Sequence, residues 1–289
     1  MNINSLNNRI ALITGGNSGI GRCTALELAR NGAHVFIACR DLGKAQSVID
    51  EFSTFPMVGK IEYLNLDLSD LNSVKNCARE FVSKGLPLHL LINNAGVAGL
   101  KGLTQQGFEM TMGVNHLGHF LLTQELMPSL LSGSPSRIIN VASRAHVYAK
   151  GINFESFRRS TDSKLGIREY CESKLANVLF TKELAKRLKG TGVSSYAVHP
   201  GVVASSLWRE VPEPLRALIK IFMVSNNKGA RTTLHCATSS RTAFESGDYY
   251  ADSRSKKPSK VALDTNLAAE LWTKSSQWVN DYDLTIKKG

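Results

Sequence analysis

The chain of 289 residues contains no run approaching the roughly 20 apolar residues that a membrane-spanning helix requires. No span is expected. Its start, Met1-Asn-Ile-Asn-Ser-Leu-Asn-Asn-Arg9, lacks both the basic n-region and the apolar h-region of a secretory signal. A soluble, cytoplasmic protein is the resulting expectation. Cysteine is sparse: Cys23, Cys39, Cys77, Cys171 and Cys236 make an odd number without Cys-x-x-Cys spacing. That argues against a disulfide framework and a zinc site, and it fits a reducing compartment. His116 and His119 stand three apart, but no Glu sits as in His-Glu-x-x-His and no third ligand accompanies them. They are read as packing or capping residues, and no metal is expected. Proline- or serine-rich linkers, internal repeats and low-complexity tracts are also absent, so residues 1–289 are read as one domain.

Acidic residues are outnumbered. Asp and Glu total 24 against 35 Lys and Arg, a formal charge of +11 and a pI near 9.5. The excess is scattered, with one local cluster, Arg254-Ser-Lys-Lys-Pro-Ser-Lys260, read as solvated surface. A nucleic-acid binder would pair such charge with a recognisable reading element, and none is visible. A positive field would still attract anionic cofactors and membrane surfaces.

Short apolar runs alternate with amphipathic helices. Strands are expected at Arg9 to Thr14, Ala33 to Cys39, Ile61 to Leu66, Leu88 to Asn93, Arg137 to Ala142, Val193 to Val198 and Asp248 to Ala251. The alternation predicts an α/β fold, a doubly wound parallel sheet of the Rossmann kind with helices on both faces. Ligands in such sheets bind beyond the carboxyl ends of the strands. Thr14, Arg40, Asp67, Asn93, Ser143 and Pro200 all fall at or just past those ends.

After the first strand comes Gly15-Gly16-Asn17-Ser18-Gly19-Ile20-Gly21, then a helical pattern from Arg22 to Arg30. A glycine turn between strand and helix lets backbone approach a pyrophosphate while the helix N-terminus faces its charge. The spacing is Gly-x-x-x-Gly-x-Gly, and an ordinary glycine loop would use the same residues, so the rest of the chain decides. Farther on, Tyr170 and Lys174 lie four apart in a helical pattern and share one face. A neighbouring ammonium favours phenolate, so Lys174 is expected to lower the Tyr170 pKa toward neutrality and make it a general acid and base. Ser143, ending the strand Arg137-Ile-Ile-Asn-Val-Ala-Ser143, would hydrogen-bond the same substrate oxygen.

Thr14-Gly-Gly-Asn-Ser-Gly-Ile-Gly21, Asn93-Asn-Ala-Gly96, Asn115, Ser143, Tyr170-x-x-x-Lys174 and Pro200-Gly201 together resemble the short-chain dehydrogenase/reductase family. The resemblance runs from about Arg9 to the helix near Trp278. Ala38-Cys-Arg-Asp41, Leu66-Asp-Leu-Ser69, Val114-Asn-His-Leu-Gly-His-Phe-Leu-Leu-Thr123, Tyr170-Cys-Glu-Ser-Lys-Leu-Ala-Asn177 and Val198-His-Pro-Gly201 are similar to the retinol dehydrogenase group. The chain departs from many of that group in lacking an N-terminal anchor pattern.

The resemblance implies a set of roles. Gly15, Asn17, Ser18, Gly19, Ile20 and Gly21 would hold the dinucleotide. Asp67 would bond the adenine amino group with Leu68 beside it, and Asn93, Ala95 and Gly96 would line the path to the nicotinamide. Asn93 has a second expected role in steadying the central sheet. Lys174 would also hold the nicotinamide ribose, Val202 after Pro200-Gly201 would bind the carboxamide, and Ser205 would sit nearby in the usual threonine's place. Asn115 would interrupt a helix and hold a water in a proton relay to Lys174. Ser143, Tyr170, Lys174 and Asn115 form the expected catalytic set.

The end of the second strand bears on which nicotinamide cofactor is used. Acid there accepts the ribose hydroxyls of NAD, whereas arginine pairs with the 2′-phosphate of NADP. Neutral Cys39 followed by Arg40, with its planar donor fork, points to NADP(H), though Asp41 weakens the local field. The expected reaction interconverts a lipophilic aldehyde or ketone, retinal-like, steroid or other, with its alcohol. Segments 144–168 and 203–227 would cover that substrate. Within the second, Leu215 to Val224 is an apolar helix that would either fold over substrate or touch a bilayer surface. A homo-oligomer through the Tyr170 helix or the helix around Lys228 to Ser239 is a further implication. A catalytically silent NADP(H) sensor or scaffold of the same fold is the alternative from another class, and it is disfavoured by the presence of Ser143, Tyr170 and Lys174 together.

Overall fold

Parallel strands buried on both faces need nearly continuous apolar sequence, and the chain supplies it at Ile10 to Thr14, Val35 to Cys39 and Leu90 to Ile92, whereas Lys60-Ile-Glu-Tyr-Leu-Asn65 at the sheet edge is only partly buried. The computed structural model describes residues 6–54, 59–201, 225–242 and 245–286. Val202, Ser205 and the segment Leu215 to Val224 lie outside the described residues. Strands β1 (Ile10–Thr14), β2 (His34–Cys39), β3 (Lys60–Asn65), β4 (Leu90–Asn93), β5 (Ser136–Val141), β6 (Val193–His199), β7 (Tyr249–Ala251) and β8 (Arg254–Lys256) form one sheet in the order β3-β2-β1-β4-β5-β6-β7-β8. All neighbours pair in parallel except β7 with β8. The order reverses between β1 and β4, which opens a crevice at their carboxyl ends.

Side chains alternate across β1. Ile10 and Leu12 enter one core with Phe81, Phe120 and Leu184, while Ala11 and Ile13 enter the other with Leu28, Val48 and Cys236. Helices α1 (Gly19–Arg30), α2 (Leu42–Ser53) and α7 (Asn226–Thr238) cover the second core. Helices α3 (Leu71–Ser83), α4 (Gly118–Glu125), α5 (Met127–Ser132) and α6 (Ile167–Arg187) lie on the first. The C-terminal helix α8 (Thr265–Ile286) closes that side. Its Trp272 meets Phe120 edge-on at 5.1 Å and stacks near Phe180 at 5.9 Å, with the Arg187 guanidinium 4.3 Å from its ring.

Two differences from the sequence reading appear here. Arg254–Lys256, inside the basic cluster, is exposed as expected but also forms β8, an antiparallel edge strand. Helix α1 starts at Gly19, three residues before the expected Arg22, because the glycine turn itself winds into the first helical turn. All five cysteines are free thiols. Among the described residues, no helix is long and apolar enough to cross a membrane.

Candidate functional site

The crevice between β1 and β4 begins at the glycine turn. Gly15 takes φ +67°, a left-handed conformation that favours glycine, and its N–H donates to Ala38 O at 2.8 Å. A Cβ on Gly21 would lie 2.3 Å from Gly15 O, so only hydrogen fits where the helix meets the turn. Asn94 Nδ2 braces the same turn by donating to Thr14 O at 2.8 Å.

The start of α1 differs from its neighbours. Ser18 occupies the N-cap position but makes no side-chain cap, and the first turn holds no acid. Helices α2 and α3 are capped instead, Asp41 accepting from Lys44 N and Asp70 from Asn72 N. The first N–H groups of α1 therefore have no side-chain acceptor, and the helix dipole adds a partial positive charge there. A pyrophosphate fits that end.

Past β2, Arg40 is 68% exposed, with Nη1 3.9 Å from Asp67 Oδ2. Asp41 is engaged by Lys44 at 2.8 Å, and hydrogen bonds from Lys44 hold its carboxyl below the usual range. Burial pushes the Cys39 thiol up to about 11, so it stays neutral. Asp67 Oδ1 accepts from Ser69 N at 2.9 Å and Ser69 Oγ at 2.7 Å, while Leu68 packs into the core. Two roles are expected of Asn93. Its side chain is only 2% exposed and donates to Thr123 Oγ1 at 3.1 Å and Asn140 Oδ1 at 2.8 Å. Its side chain therefore steadies the sheet, the second role expected of it, and any part in lining the nicotinamide path falls to its main chain.

Ser143, Tyr170, Lys174 and Asn115 converge from three elements. Ser143 follows β5, its Oγ accepting from Ala145 N at 3.1 Å, and it hydrogen-bonds the Tyr170 side chain. Lys174 is buried at 4% exposure and donates to Val141 O at 3.0 Å. Its Nζ lies 5.7 Å from the centroid of the Tyr170 ring. Asn115 sits in a π-helical turn, Gly113–Leu117, as its expected role in interrupting a helix requires. Asn115 Nδ2 donates to Val97 O at 2.9 Å and Ser173 Oγ at 3.0 Å, and Oδ1 accepts from Val97 N at 2.8 Å. Gly96 ties these together: a Cβ there would stand 3.2 Å from Asn115 Oδ1 and 3.5 Å from Lys174 Nζ.

The expected shift of Tyr170 is corrected in direction. Burial raises its pKa, more than the Ser143 hydrogen bond lowers it. Lys174 does not reverse this net shift: burial pushes the lysine itself down to about 8, and its ammonium donates to the Val141 carbonyl. At neutral pH both groups hold their protons.

Other expected residues fall around this centre. Asn17 and Ile20 are partly exposed in and after the turn. Pro200 and Gly201, the latter at φ +88°, follow β6 at the same edge of the sheet. Cys171 is buried in an apolar cluster away from the crevice. His116 meets Ser275 Oγ at 2.9 Å, in keeping with a packing role. Sequence reasoning missed His146, whose Nδ1 donates to Ser143 O at 2.7 Å while Nε2 accepts from Ser259 N at 3.1 Å. It also missed the link from Thr14 to His119. Both connect residues far apart in the chain, and no local pattern announces them.

Comparison with known proteins agrees with this geometry. The family model described as short chain dehydrogenase matches residues 9–216. Retinol dehydrogenase 12 of Bos taurus is 44% identical over 272 residues, covering 93% of this chain and 85% of that protein. Retinol dehydrogenase 11 of Homo sapiens is 43% identical over 267 residues, covering 91% and 83%. Among solved structures, an uncharacterized protein from Mycobacterium Paratuberculosis superposes with a TM-score of 0.77 at 36% identity, covering 96% of each chain. The Pseudomonas aeruginosa RhlG/NADP active-site complex superposes at 0.68 with 26% identity, covering 85% of this chain and 94% of that one. The chain therefore belongs to the short-chain dehydrogenase family of oxidoreductases, which interconvert carbonyl and alcohol groups.

Proposed function

We propose that this protein is an NADP(H)-dependent reductase of lipophilic aldehydes or ketones, retinal-like carbonyls foremost. The observation that carries the reading is the convergence of Ser143, Tyr170 and Lys174 past the end of β5, two strands along the sheet from β1, after which α1 begins uncapped. The turn from Gly15 to Gly21 would hold the pyrophosphate, Asp67 the adenine, Ala95 and Gly96 the approach to the nicotinamide, and Lys174 its ribose. Val202 and Ser205 remain proposed contacts there. Arg40 supports NADP(H), since its fork is exposed, only loosely paired with Asp67 at 3.9 Å, and able to turn to a 2′-phosphate while Asp41 is engaged by Lys44. Bound in this crevice, the reduced nicotinamide supplies hydride to a carbonyl carbon.

The chain's own residues handle the oxygen. Ser143 Oγ and the Tyr170 hydroxyl donate hydrogen bonds to it, and Tyr170 passes its proton as negative charge develops. Preorganised donors are most effective at such a site, because they need no reorganisation as the charge forms. The raised pKa of Tyr170 keeps the phenol protonated at neutral pH, the form that donates to the oxygen. Lys174, still cationic at neutral pH, stabilises the tyrosinate left behind, and Asn115 would hold the water that returns the proton. The names of the retinol dehydrogenase relatives favour a retinoid-like substrate. The test is turnover of all-trans-retinal, a steroid ketone, a medium-chain aldehyde and an aromatic ketone with each reduced nicotinamide. NADPH-linked reduction of one or more lipophilic carbonyls supports the reading; NADPH binding with no turnover of any defeats it.

A further inference from the structure

Thr14, at the end of β1, Asn115 in the π-helical turn and His119 on α4 are all buried and joined in one line. Thr14 Oγ1 accepts from the backbone N–H groups of Asn94 and Ala95, each at 2.9 Å. Those bonds use both lone pairs of the hydroxyl, which is left to act as a donor. The acceptor in reach is His119 Nε2, at 2.8 Å. A ring nitrogen that accepts carries no proton, so the neutral imidazole holds its hydrogen on Nδ1. That nitrogen lies 3.1 Å from Asn115 O and donates to it. Every proton along the line is thereby assigned.

From this arrangement we infer that His119 is a positioning residue: as the neutral Nδ1–H tautomer it fixes the carbonyl of Asn115, whose side chain meets Gly96 beside Lys174, and ties it to the strand end that carries the glycine turn. The kinetic consequence rests on the reductase function proposed above; the tautomer does not. Asn115 is then held at two points. Its side chain is clamped by Val97 and Ser173, and its carbonyl is steered by His119. A carbonyl oxygen has two lone pairs, and in the relay proposed above a water on the way to Lys174 would take the one not turned to His119. The imidazole suits the task because it accepts and donates at opposite edges of a rigid ring. A cationic ring would break the line, since Nε2 would gain a proton and face the Thr14 hydroxyl as a second donor. Burial prevents this by pushing the His119 pKa down to about 4, with the nearby Lys174 charge acting in the same direction.

The deciding experiment combines a spectrum with two substitutions. Nitrogen-15 NMR of the full chain should show His119 as the Nδ1–H tautomer, without titration near the ordinary histidine value of about 6.5. An Nε2–H tautomer, or a ring that titrates near that value, would overturn the assignment. His119→Asn places an amide N–H near the Nδ1 position and keeps the bond to Asn115 O. His119→Gln places its amide near the Nε2 position and keeps only the link to Thr14. The expected result is that kcat falls about tenfold in the Gln variant and much less in the Asn variant, the size of one lost hydrogen bond. KM for the carbonyl and Kd for NADPH should stay near wild type in both, and melting temperatures identify any variant that has lost its fold. Equal kcat loss in both variants, or a loss confined to NADPH binding, would contradict positioning through Asn115. If wild type reduces no carbonyl, the reductase reading fails, and the spectrum alone decides the tautomer.

Discussion

Three helices, α1, α2 and α3, each follow a parallel strand, yet only the first begins without a side-chain cap. Asp41 and Asp70 satisfy the first turns of α2 and α3, while Ser18 leaves that of α1 open. A missing cap costs a helix about 1 kcal/mol. Its absence at the N-terminus that follows β1, beside a turn too tight for any side chain at Gly21, fits a place reserved for an anion. The contrast teaches that binding is written in the bonds a structure leaves unmade, whereas stability is written in those it completes.

The largest expected effect separates chemistry from binding. Tyr170→Phe should lower kcat by about 10² to 10⁴, the usual worth of a positioned acid, with NADPH affinity nearly unchanged in a fluorescence titration. Next is Arg40→Asp, which should cut NADPH affinity about tenfold to a hundredfold and leave NADH binding equal or better. Unchanged selectivity would remove Arg40 from the 2′-phosphate site. A pH–rate profile should then show the reductase rate falling by about tenfold per unit above the Lys174 pKa near 8, as the tyrosinate loses its supporting cation. Ser18→Asp addresses the comparison itself. By capping α1 it should stabilise the protein without cofactor by about 1 kcal/mol, a few degrees in Tm, while weakening NADPH binding about tenfold through charge repulsion. The smallest effect is that of Asp70→Ala, which should cost about 1 kcal/mol in a denaturant titration and leave cofactor affinity alone. If Ser18→Asp instead leaves binding intact, the open cap has no part in holding the cofactor.

Much of this was legible in sequence because the physics is local. Parallel strands show as apolar runs, the glycine turn follows one of them, and Tyr170 and Lys174 share a helix face through simple periodicity. Strand β8 was missed because Arg254–Lys256 is exposed throughout and has no apolar alternation to show. The Tyr170 shift was misread because proximity of a lysine was weighed without the burial that acts on both groups. Asn93 was half legible: its place at a strand end is evident, but its direction depends on Thr123 and Asn140. His119 was beyond reach, since its tautomer is set by Thr14, which stands 105 residues away.

The measurement that tests the central claim most directly is NADPH consumption by the purified protein with all-trans-retinal, run beside NADH and beside Tyr170→Phe. The account predicts turnover that prefers NADPH and is lost in the variant. Turnover retained by Tyr170→Phe, or a strong preference for NADH, would contradict it.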